Sequence, residues 1–133
     1  MEPDPDISAV IDEAMAPVRL IGDDVKLRKL ATQMTNYVVT TLAVDDEQAV
    51  GLLGGINPDE ITAGYGTLPN ELMIRLTILN GIVERLSANI GGSGVSLDWL
   101  RKKNAFLNYK RPLDLMIGGR IDSLVEIRRH IAP

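Results

Sequence analysis

Apolar residues recur three and four apart along most of this chain, the spacing of a helix with one buried face. Asp23 or Asp24 stands ready to cap a helix to about Leu42, with Leu27, Leu30, Met34, Val38 and Thr41 on one line. A shorter helix is expected from Asp45 or Asp46 to Leu53, ended by Gly54-Gly55. Asn57 caps the next, with Pro58 as its first residue and Gly64 and Gly66 at its end. The longest follows Pro69 and runs to about Asn89. Its Leu72, Leu76, Leu79, Val83, Leu86 and Ile90 alternate four and three apart, and Met73 or Ile74 with Ile78 and Ile82 makes a second line. A helix apolar on two sides is buried on both, either at the centre of the fold or in a dimer interface.

Beyond the Gly91-Gly92-Ser93-Gly94 turn, Ser96 is placed to cap a helix carrying Leu97, Trp99 and Leu100. Pro112 opens a short helix through Leu115 and Met116, closed by Gly118-Gly119. The last helix, Ile121 to Ile131, turns Leu124, Val125 and Ile131 inward and ends in Arg128 and Arg129, cations that suit a helix C-terminus. Residues 1–22 read as a flexible acidic segment with one weak helix around Ile7 to Met15. Tyr37-Val38-Val39-Thr40-Thr41 is β-prone but fits the helical phase better. The expected fold is therefore all-α, with about six to eight helices. After the N-terminal segment, residues 23–90 hold a pair of short helices and the long one, and residues 93–133 form a small C-terminal helical domain.

Composition narrows the chemistry. The chain of 133 residues has no cysteine and a single histidine, His130, which excludes disulfides, thiolate metal sites and a histidine-rich metal site within one chain. No stretch approaches the roughly 18 uncharged apolar residues of a membrane span. The proline-broken acidic start is unlike a targeting segment, so a cytoplasmic protein without a membrane role is expected. The net charge of −4 is unevenly placed: residues 1–90 carry 6 Lys/Arg against 14 Asp/Glu, and residues 91–133 carry 8 against 4. No basic residue lies between Lys29 and Arg75.

Catalysis finds little to use. The pairs Asp23-Asp24, Asp45-Asp46 and Asp59-Glu60 resemble metal or acid–base groups, but each stands at a helix start, where carboxylates satisfy free amides. The glycine stretches 51–55 and 91–94 lack the strand and the Lys-Ser/Thr of a phosphate loop and read as turns. No enzyme activity and no cofactor are expected. The two helices 45–53 and 57–65 have the size of a helix-turn-helix. The second carries Asp59 and Glu60 in place of the cations and amides that reach phosphates and base edges, which disfavours DNA. The C-terminal third is richer: Trp99, Phe106 and Tyr109 alternate with Arg101, Lys102, Lys103, Lys110 and Arg111. Aromatic rings beside arginines mark protein–protein hot spots, and also platforms for nucleic acid.

The ordered set Trp99-Leu100, Asn104, Leu107, Pro112, Asp114-Leu115 and Gly118, followed by the Leu124-Val125 helix, resembles the toxin-binding domain of Xre/MbcA/ParS-type antitoxins. That family shows a Trp-Leu, an Asn five residues after the Trp, then a Leu, a Pro and a Leu-Leu at the same intervals. It often has a Pro before the Asn, where this chain has Lys103. The resemblance covers about residues 93–131 and, more weakly, a degenerate helix-turn-helix and long helix upstream. It implies an all-α homodimer that binds a RES-domain toxin, an enzyme degrading or modifying NAD, and blocks its active-site entrance. Carried over, the partner-binding residues are Trp99, Asn104, Arg111, Pro112, Arg128, Arg129 and His130, and the basic C-terminal patch would meet an acidic pocket. The family also implies the alternative of a homodimeric DNA-binding autoregulator; a degenerate paralogue that serves only as an interaction module is the third reading. The acidic Asn57–Gly66 segment predicts no sequence-specific shift of upstream DNA at about 100 mM salt, where specific binders still hold. A gel-shift assay checks this.

Overall fold

Helix starts are set by short polar side chains that accept amide hydrogens the helix itself leaves free. In a computed structural model, which describes residues 5–64, 68–88 and 98–131, this local chemistry operates at Asp23, Asp45 and Asn57. Asp23 accepts the Val25 amide at 2.8 Å, and Asp45 and Gln48 exchange backbone amides at 2.7 and 3.0 Å in a reciprocal capping pair. Asn57 accepts the Asp59 amide at 2.9 Å. The acidic pairs are thus helix caps and first-turn residues, and no group of three or more metal-ligating side chains occurs among the described residues.

Seven α-helices lie within the described residues: α1 Pro5–Arg19, α2 Asp24–Leu42, α3 Asp46–Leu52, α4 Pro58–Ala63, α5 Asn70–Ala88, α6 Pro112–Met116 and α7 Ile121–Ile131. A 3-10 turn, Ala105–Leu107, precedes α6. Gly66, Ile90, the glycine turn 91–94, Ser96, Leu97 and the side chain of His130 lie outside the described residues. No strand is present among the described residues, only a single antiparallel bridge between Asn104 and Lys110. No helix of them is long and apolar enough to cross a membrane.

The long helix α5 is the axis of the fold, with α1, α2 and α7 packed around it. Both of its apolar lines are consumed within one chain: Leu72, Leu76, Leu79, Val83 and Leu86 are buried, and so are Met73, Ile78 and Ile82. Of the two alternatives for this helix, core and dimer interface, the structure gives core. On α2 the buried line is Ala31, Met34, Thr35, Val38 and Leu42, while Leu27, Leu30 and Thr41 stand at its margin. Thr35 is tolerated there because its hydroxyl donates to the Ala31 carbonyl at 2.7 Å.

Residues 5–19 depart from the expected flexible segment. They form a 15-residue helix whose Met15 and Val18 enter the core, with Ile7, Val10, Ile11 and Ala14 packed beside them. Hydrophobic contact with α5 and α7 supplies what the local sequence does not. The buried cluster around Ile78, Ile82 and Val83 also takes in Leu100, Leu113, Met116, Leu124, Val125 and Ile127. The C-terminal segment therefore shares its core with the helices before it.

One polar group lies inside this packing. Arg75 is 4% exposed, and its guanidinium donates to three carbonyls: Leu52 at 2.5 Å, Met116 at 3.1 Å and Gly51 at 3.4 Å. These are the free carbonyl ends of α3 and α6, where the helix dipole concentrates negative charge. The Gly118 amide adds a 2.9 Å bond to the Gly51 carbonyl, and Gly118 takes the left-handed φ of 71° that turns the chain out of α6. Gly51 itself is required, since a Cβ there would lie 2.6 Å from the Ile117 side chain. Replacing Arg75 with Ala strands buried carbonyls and is expected to cost about 3 kcal/mol of unfolding free energy. Arg75→Lys, with one point charge, should recover only part of it; urea denaturation of the two variants checks this.

Candidate partner-binding site

The C-terminal surface begins where Leu100 sinks into the core. Its carbonyl accepts the Leu113 amide at 2.9 Å, so the two ends of the segment between them are tied together. Arg101 reaches back to donate to the Leu42 carbonyl at the end of α2, where Ala43 adopts the left-handed backbone of a helix cap. Arg101 is thus spent on anchoring the loop rather than offered to a partner.

Within the loop Asn104 closes a compact knot. Its amide donates to Lys110 at 3.1 Å, and its carbonyl accepts from Leu107 at 3.0 Å and from Tyr109 at 2.8 Å. Leu107 anchors the knot below, 8% exposed. Asn108 and Tyr109 both hold positive φ, 57° and 62°. An Asn adopts this region readily; a Tyr there is strained by about 1 kcal/mol. Tyr109 nonetheless stands 71% exposed, with Lys102, Lys103, Lys110 and Arg111 also on the surface.

The structure divides the residues expected to bind a partner. Trp99 is half-buried against the main core cluster, and Pro112 is buried at the first position of α6; both serve the fold. Asn104 organises the loop through its backbone. Arg111 is exposed at the start of α6 and its side chain makes no cap bond, leaving its charge on the surface. Arg128 is half-buried on α7, and its pKa is pushed down first by burial and then by Arg85, with Glu13 of α1 acting in the opposite direction. It faces the body of the molecule. Arg129 pairs with Glu126 at 3.4 Å.

Two groups escaped the sequence reading. Arg75 had only one signal, a lone cation set between apolar positions of a two-faced helix. Tyr109 was visible as an aromatic among cations, but its exposure depends on a backbone conformation that composition does not reveal. Next to Arg75 lies a cleft of about 610 Å³ in which Glu71 and Asp122 balance Arg75 and Arg120. It offers neither a nucleophile with a base nor an excess of one charge. The short helix α4 exposes Asp59, Glu60 and Thr62 and buries Ile61. Arg28 of α2 donates to the Glu60 and Ile61 carbonyls at 3.2 and 2.9 Å, so the nearby guanidinium is engaged in closing α4.

No family profile, no curated protein and no solved structure matches this chain.

The division of residues has a direct consequence for stability. Trp99→Ala should lower the unfolding free energy by about 2 kcal/mol through lost packing. Arg111→Ala should change it by less than about 0.5 kcal/mol, as for an exposed side chain without a partner. Denaturant midpoints of the two variants, measured side by side, check the contrast.

Proposed function

We propose that the chain is an antitoxin-like protein that binds a RES-domain toxin and covers the entrance to its active site. The observation that carries the reading is the cationic loop 102–111, held out on a bridge closed at Asn104 within the very segment whose residues resemble the toxin-binding domain. Inhibition of this kind is steric and needs no catalytic group or cofactor in the inhibitor. A rigid loop also loses little conformational entropy on docking, which favours affinity.

The exposed acids of α4 and the commitment of Arg28 to its carbonyls support a protein partner over DNA as the principal target. Dimerisation belongs to the same proposal. Because α5 is buried on both lines, a homodimer would have to use another surface.

A tagged full-length chain, recovered from its native cell and examined by mass spectrometry, tests the reading. The expected result is a stoichiometric RES-domain protein, and co-expression with that protein should preserve cellular NAD. Recovery of the chain alone, at dimer mass in light scattering, would overturn it.

A further inference from the structure

Lys102, Lys103, Lys110 and Arg111 are all exposed. The salt bridges among the described residues, Arg19–Asp12 at 3.0 Å and Arg129–Glu126 at 3.4 Å, lie elsewhere and involve none of these four cations. The bridge between Asn104 and Lys110 places Lys103 and Arg111 at the next positions outward on the two facing segments. Tyr109 projects 71% exposed from a left-handed backbone, strained with most of its surface left in solvent. The exposed cations gain from an anionic surface, and the strained ring gains from a recess that receives it.

We infer that the loop Lys102–Arg111, rather than the terminal arginines, is the element that docks, and that it meets an acidic protein face with a recess for the Tyr109 ring. This rests on the antitoxin reading and names the contact within it. Loop rigidity comes from the Leu100–Leu113 and Arg101–Leu42 bonds at the base and from Asn104 within. Of the terminal arginines, Arg128 is half-buried and Arg129 is paired with Glu126 at 3.4 Å, so they offer less free charge than the loop. An extended polyanion is the poorer fit, because the first 90 residues carry 14 acids against 6 bases and a nucleic acid running past the loop would meet them. A protein face can confine its contact to the loop, with Tyr109 and Arg111 as central anchors and the lysines as the steering rim.

The test is the affinity of the RES-domain protein recovered with the chain, measured by calorimetry at about 50 and about 300 mM salt, where the screening length shortens severalfold. Three full-length proteins are compared: the wild type, the K102E/K103E/K110E/R111E reversal, and Tyr109→Asn, which removes the ring while suiting the left-handed backbone. The reversal is expected to weaken binding on the order of 100-fold at low salt, and Tyr109→Asn roughly 10-fold, with wild-type affinity falling as salt rises. Circular dichroism should match the wild type for both variants, and Tyr109→Asn should melt no lower than the wild type, since it relieves the left-handed strain. If the reversal unfolds, Tyr109→Asn and the wild-type salt dependence decide the matter. Unchanged affinity in folded variants would overturn the docking assignment and leave the antitoxin reading standing. Recovery of no RES-domain protein removes the reading and the assignment together. Tight wild-type binding to a labelled single-stranded RNA or a DNA duplex, lost on charge reversal, would overturn the protein partner in favour of a nucleic acid.

Discussion

The guanidinium of Arg75, a residue only 4% exposed, takes the carbonyl ends of two short helices and holds them against a third. Neither α3, with 7 residues, nor α6, with 5, is long enough to be stable on its own. Both end toward Arg75, so their partial negative charges converge on one fixed positive group. Taking that charge out of water is costly, and burial pushes its pKa down, with Glu71 one turn away working in the other direction. Arginine fits the position because its planar fork serves several acceptors at once. The rest of the C-terminal architecture depends on this point: with Met116 fixed, α6 is fixed, and with α6 fixed Pro112 and Leu113 enter the core.

From there the arrangement of the surface loop follows. Leu113 donates back to Leu100, Arg101 grips the end of α2, and the segment between is left to leave the body and return. Three of its interior bonds converge on Asn104, and a fourth runs from the Lys110 amide to the Leu107 carbonyl. The loop is therefore stiff at its base and stiff at its tip, and the charges and ring it displays stand on a platform instead of a tether. The cations it displays, Lys102, Lys103, Lys110 and Arg111, are exposed and take no part in the Arg19–Asp12 and Arg129–Glu126 salt bridges.

Much of the fold was legible because caps and turns are local chemistry. Asp23, Asp45 and Asn57 begin helices through bonds that span two or three residues, and Pro112 and Gly118 bound α6 by backbone geometry alone. The N-terminal helix was read short and weak because its stabilising partners, α5 and α7, are distant in sequence. Its line of Ile7, Ile11, Ala14 or Met15 and Val18 is amphipathic, but prolines and acids around it masked the pattern. In the candidate site the sequence names residues but not their burial, which packing decides. Trp99 and Pro112 turned inward to the fold, while Tyr109 and its neighbouring cations stood outward.

The sequence by itself determined the helical class, the starts and stops of nearly every described helix, and the charge contrast between the two parts of the chain. Those properties depend on spacing, caps and composition, which act over a few residues or over none. Only the tertiary structure decided that α5 is a core helix, that Arg75 is an internal fastener, that the exposed Arg101 ties the loop to the end of α2, and that Lys102, Lys103, Lys110 and Arg111 remain on the surface. The reason is that an arginine reads the same in sequence whether it binds its own carbonyls or solvent. Its fate is set by which helix ends the packed core brings within reach.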